Sequence, residues 1–152
     1  APSKIAIIVP LGIGSLAVPV ALVFEQMKYN MDLFVAEPLS HCKFLSEYIN
    51  LIPNGHHTLA DGAAVNEVPL ISNEILKKVI YGTLGITEEE IKKGIHYLWS
   101  NLKIKSEGAG ALSIAAYLSN PEMFVEYDQV WTFVTGNNIE DAVFEEVISK
   151  FS

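Results

Sequence analysis

An α/β fold of three layers, a mostly parallel sheet flanked by helices, is what the sequence predicts. Three observations carry that reading. Short apolar runs such as Ile5-Ala6-Ile7-Ile8-Val9 lack polar alternation, as strands do when both faces are covered. Segments with helical period lie between those runs. Half of the 152 residues are hydrophobic, which suits a buried sheet or a surface that another segment covers.

The elements follow in order. Residues 4–11 form a strand, broken by Gly12-Ile13-Gly14-Ser15. Residues 16–29 form a helix, with Leu16, Val20, Val23, Phe24 and Met27 at helical spacing and Pro19 tolerated near its first turn. Residues 31–36 form a second strand, closed by Glu37-Pro38, so the first unit is βαβ with parallel strands and a right-handed crossover. A helix is expected over residues 40–48 and an irregular stretch over 50–68. Another helix is expected over 72–81, capped by Ser72 and stopped by Gly82. Residues 83–86 are a candidate extra strand. Thr87 begins a capping box with Glu90, and the helix it starts runs to about residue 102, packing Ile91, Ile95, Leu98 and Trp99. Residues 108–118 form a small-residue helix built for close packing. Residues 129–134 form a third strand, Thr135-Gly136-Asn137-Asn138 a turn, and residues 139–151 a last helix. No repeat or linker interrupts the chain, and one domain over residues 1–152 is expected.

Charge and composition exclude several functions. The net charge is −8, and all ten basic residues are lysines, with no arginine, so no basic stripe for nucleic acid forms. The longest apolar candidate for a membrane span, residues 16–24, is too short. No basic start followed by an apolar stretch and a cleavage site is seen, so no secretory leader is expected in this sequence. The lone Cys42 rules out an internal disulfide framework and suits a reducing, cytoplasmic compartment.

Four segments could carry chemistry. Gly12-Ile13-Gly14-Ser15 follows a strand and precedes a helix. Its N–H groups and the helix dipole could cradle an anion, with the Ser15 hydroxyl as a further donor. It is equally a tight strand-to-helix turn, since Ala17 stands where a dinucleotide fingerprint has its third glycine and no P-loop lysine is present. Thr135-Gly136-Asn137-Asn138 should reach the same carboxyl edge of the sheet, where open α/β sheets bind ligands, although by itself it reads as a turn. Glu107 precedes the small-residue helix and reads locally as its N-terminal acid. Asp61-Gly62 reads as a turn. The adjacent His56 and His57 have no cysteine or acid at zinc spacing, and a Cys42–histidine pair would need a distant partner.

Together, in this order, these segments resemble the serine/threonine dehydratases (threonine ammonia-lyases) of the fold-type-II pyridoxal-phosphate (PLP) enzymes. The family's strand ending in proline before a glycine loop is matched by Val9-Pro10-Leu11-Gly12-Ile13-Gly14-Ser15-Leu16. Its Glu-Pro is matched by Glu37-Pro38, and its T-I-A-D-G by Thr58-Leu59-Ala60-Asp61-Gly62. Its E-P-A-G-A is matched by Glu107-Gly108-Ala109-Gly110-Ala111 without the proline, and its S-G-G-N by Thr135-Gly136-Asn137-Asn138. The resemblance runs from Ile5 to the last helix. It implies half of the family's large domain, with pyridoxal 5'-phosphate as cofactor. Gly12, Ile13, Gly14 and Ser15 would hold the phosphate through N–H groups, and Thr135 would meet the pyridine nitrogen. Asn138 would shape its loop, and Glu107 would line the ring side of the pocket.

The departures from the family matter as much. Ile13, Ser15 and Asn137 replace family glycines. Some members bind a divalent cation through the Glu of Glu-Pro and an acid six residues on; Lys43 stands there, so no metal is expected. The family's Schiff-base lysine lies upstream in an S-x-K-x-R-type motif, and this sequence has no such motif. The resemblance therefore implies no catalytic residue in this chain, a missing N-terminal half or partner chain, and elimination of water from a small amino acid only in the intact enzyme. Homo-oligomerisation fits the apolar composition. A non-catalytic subunit that binds a phosphorylated ligand or a partner is the main alternative, and an unrelated nucleotide-binding domain the third.

Overall fold

The computed structural model describes residues 3–27, 30–46 and 53–151. Its sheet has four parallel strands: β1 (Ile5–Pro10), β2 (Met31–Pro38), β3 (Ile80–Ile86) and β4 (Gln129–Thr132), in the order β3-β2-β1-β4. Helices α1 (Ala17–Met27) and α3 (Leu70–Val79) cover one face, and α4 (Glu88–Leu102), α5 (Gly108–Ser119) and α6 (Asp141–Lys150) the other. The middles of β1 and β2 run apolar because successive residues there meet one or the other of two cores. Ile7, Val9, Leu33 and Val35 face α1 and α3; Ala6, Ile8, Phe34 and Ala36 face α4 and α5. The three-layer α/β expectation holds.

Several elements differ from the expectation. β3 is a full strand of seven residues, and α3 runs into it without a loop, because Ile80 turns extended straight after the last helical turn. Gly82 is therefore no helix stop. It lies in β3 opposite Phe34, at a shift in strand register, where a Cβ would come within 3.1 Å of the Phe34 ring. α3 starts at Leu70, with Pro69 as its cap residue, so Ser72 sits inside the first turn. The helix expected over 40–48 is instead a 3-10 turn, Leu39–His41, and a short helix α2 (Lys43–Ser46); residues 47 and 48 lie outside the described residues. The Glu37 carboxylate, buried at the end of β2, accepts from the Phe44 and Leu45 N–H groups at 3.0 and 2.8 Å and so restarts the helix there. Helix α1 buries Ala17 and Ala21, while Val23 and Met27 are exposed. Small residues let the helix lie close to the flat sheet, which the spacing of the large residues did not reveal.

The capping box is as expected. The Glu90 N–H donates to Thr87 Oγ1 at 3.3 Å, and the Thr87 N–H donates to Glu90 Oε2 at 2.7 Å. At the amino end of the sheet, polar groups pair with one another. The Lys4 N–H donates to the Asp128 carboxylate at 2.8 Å, the Asp128 N–H to the Lys4 carbonyl at 2.9 Å, and the Tyr127 hydroxyl to Asp32 at 2.7 Å. Burial, then that bond to Asp32, push the Tyr127 phenol well above its usual value.

Candidate cofactor site

β1 ends at Pro10 on the carboxyl edge, and the chain turns through residues 12–16 before α1 begins. Gly14 has φ 96°, a left-handed conformation that favours glycine, and its carbonyl takes the Val18 N–H as the first helical bond. The N–H groups of residues 12–16 donate to no acceptor among the described residues. They sit at the amino terminus of an eleven-residue helix, so the loop is an open row of donors backed by a helix dipole.

Two further segments close on this loop. The 3-10 turn Asp61–Ala63 brings Gly62 against Gly12; a Cβ on Gly12 would lie 3.2 Å from the Gly62 carbonyl oxygen. The Leu59 N–H donates to Glu88 Oε2 at 2.9 Å, tying this turn to α4. On the third side stand Glu107, Ala109 and Thr135. The small residues of α5 permit that approach, since a methyl group on Gly108 would overlap the Leu59 carbonyl, and one on Gly110 the Thr135 carbonyl. The result is a cleft of about 310 Å³, floored by Pro10 and walled by residues 12–16, Gly62, Ala63, Glu107, Ala109 and Thr135.

Six of the seven residues singled out from sequence, Gly12, Ile13, Gly14, Ser15, Glu107 and Thr135, thus line one cleft. Asn138 does not. It lines a neighbouring cleft of about 460 Å³ with His57, Asp61 and Glu140, and Glu107 borders both. Glu107 holds the cap position of α5 without capping it: Oε2 accepts the Asn138 N–H at 2.9 Å instead. Gly62, Ala63 and Ala109 were not singled out as site residues, although their motifs were; only packing across 40 or more residues reveals that they line the cleft.

No lysine lines the cleft among the described residues. Cys42 is buried, its thiol donates to the Leu39 carbonyl at 3.0 Å, and burial, then the Glu37 carboxylate, push it above its usual value, which suits packing better than nucleophilic work. Among the described residues no three His, Cys, Asp or Glu side chains group as a cation site, and no helix is long and apolar enough to cross a membrane.

Fold and cleft together define an α/β protein that offers N–H donors and a hydroxyl-bearing loop at the carboxyl edge of a parallel sheet. A sequence profile of the pyridoxal-phosphate dependent enzyme family matches residues 2–136, and the chain belongs to that family. It is 27% identical to the L-threonine ammonia-lyase of Thermotoga maritima over 98% of its own length, and 27% identical to the serine racemase of Mus musculus over 89%. It spans 37% and 41% of those relatives, less than half of each. The solved serine racemase of Dictyostelium discoideum is 27% identical and superposes with a TM-score of 0.78, over 92% of this chain and 46% of that one. The processed form of threonine deaminase isoform 2 from Solanum lycopersicum, 23% identical, shares the fold with a TM-score of 0.84 over 98% of this chain and 45% of its own. The family's cofactor is pyridoxal phosphate, and the open N–H row and the Thr135 wall suit its phosphate and ring.

Proposed function

We propose that this chain is the cofactor-holding part of a serine/threonine ammonia-lyase, which eliminates water from a small hydroxy amino acid to give a 2-oxo acid and ammonia. The observation that carries the reading is that residues 12–16, whose N–H groups are unused among the described residues, line one cleft with Thr135. The phosphate would take the N–H groups of Gly12, Ile13, Gly14 and Ser15, with the α1 dipole behind them. Thr135 would meet the ring nitrogen with a neutral hydroxyl, which leaves the ring unprotonated and suits elimination over more demanding carbanion chemistry. Asn138 would act through its main chain, as the anchor of the loop that carries Thr135. Bound pyridoxal phosphate would supply the electron sink.

The lysine that this chemistry needs would come from the remainder of the polypeptide or from a partner chain, in a cytoplasmic assembly that is a homo-oligomer when complete. The lysine-free cleft lining favours a second reading in one respect: a non-catalytic subunit that binds a phosphorylated ligand would need nothing more.

The test uses pyridoxine 5'-phosphate, which has no aldehyde to react with surface lysines, titrated against the fluorescence of Trp99 and Trp131. Saturable binding is expected, weakened about tenfold or more by Gly14→Ala, which strains the φ 96° turn. Wild-type chain that shows no saturation, or a variant that binds equally well, would sink the site. Turnover of serine or threonine by the isolated chain would refute the need for a second segment.

A further inference from the structure

Glu107 is an acid at a helix cap position that does not cap its helix. Such a residue ordinarily accepts an N–H from its own first turn. Here Oε2 reaches 31 residues along the chain to the Asn138 N–H at 2.9 Å, while the Glu107 N–H points back to the Gly136 carbonyl at 3.4 Å. Gly136, at φ 74°, curls round the carboxylate so closely that a Cβ there would overlap it. On the other side Oε1 lies 3.8 Å from where a Gly62 Cβ would stand. One carboxylate therefore sits among three backbone segments: the start of α5, the 61–63 turn and the 135–138 loop. Thr135 lies between this contact and Gly110, whose missing side chain lets the Thr135 carbonyl settle onto α5.

We propose that Glu107 is a positioning residue whose carboxylate clamps the 135–138 loop and thereby fixes Thr135 opposite residues 12–16; this rests on the reading of the cleft as a cofactor site. The hydrogen bond is charge-assisted, so it is stronger than a neutral one, and its donor is a main-chain N–H. Glu107 then acts on the ring through Thr135 and Asn138, and the border between the two clefts is a strut.

Amide hydrogen exchange on the ligand-free full chain tests the clamp. Glu107→Ala should speed exchange of the Asn138 amide about tenfold or more, while Val147 in α6 is unaffected. Glu107→Gln keeps an acceptor oxygen and should restore most of the protection. Affinity for pyridoxine 5'-phosphate should fall about tenfold in Glu107→Ala and recover in Glu107→Gln. Unchanged Asn138 exchange in Glu107→Ala overturns the proposal. So does an equal loss of affinity in both variants with exchange preserved in Glu107→Gln, which would make the carboxylate a charge in the cleft and no clamp. If Glu107→Ala fails to fold, Gly136→Ala, which pushes the loop off the carboxylate, must expose the same amide or the clamp is wrong. Wild-type chain that binds no pyridoxine 5'-phosphate refutes the cofactor reading, while Asn138 exchange still decides the clamp.

Discussion

The two ends of the sheet treat their polar groups in opposite ways. At the amino end, Lys4, Asp32, Tyr127 and Asp128 satisfy one another across three strands. At the carboxyl end, the N–H groups of residues 12–16 are open, and the nearby glycines bring backbones together around a cleft. Open donors beside a helix dipole are suited to an anion, so the contrast separates an end that is closed on itself from one that is open to a ligand.

Three substitutions break or sharpen the contrast. Gly110→Ala should be the most damaging, because its methyl group meets the Thr135 carbonyl, which is backbone and cannot swing aside. A loss of about 3 kcal/mol or more in urea unfolding is expected, with the cleft disrupted as well. At the amino end, Tyr127→Phe removes the hydrogen bond to Asp32 and should cost about 1–2 kcal/mol, with pyridoxine 5'-phosphate affinity unchanged. The same residue gives a pH signature. Below about pH 10 the phenol is protonated in folded and unfolded chains alike and its contribution is intact. Above that, the unfolded chain releases the proton while the folded one retains it, so stability falls with rising pH. Tyr127→Phe should flatten that alkaline limb; an unchanged slope would assign it elsewhere. Thr87→Ala, which removes the cap of α4 where β3 ends, should cost about 1 kcal/mol by the same unfolding assay.

Much of this was legible in the sequence where a local signal coincides with the tertiary result. The βαβ start, the Thr87-Glu90 box and the small-residue helix each carry their own chemistry, and the ordered motifs drew Gly12, Gly14, Glu107 and Thr135 to one site. β3 was obscured because Tyr81-Gly82 looks like a helix end, whereas Gly82 makes room for the Phe34 ring from a neighbouring strand. The exposure of Val23 and Met27 was hidden because periodicity marks an apolar stripe without saying that alanines form its buried seam. For Glu107, proximity to a helix start suggested a cap, and only the return of the chain at Asn138 shows a better-placed donor.

The parallel pairing of β4 with β1 has a kinetic consequence. Lys4 and Asp128, which flank that pairing, lie 124 residues apart, so a long loop must close before the last strand gains its contacts. Loop-closure entropy is met before any reward, which places such topologies toward the slow range of roughly milliseconds to seconds. During synthesis the strand leading to Thr135 emerges well after the glycine loop. The cleft between them is therefore completed only when β4 docks beside β1.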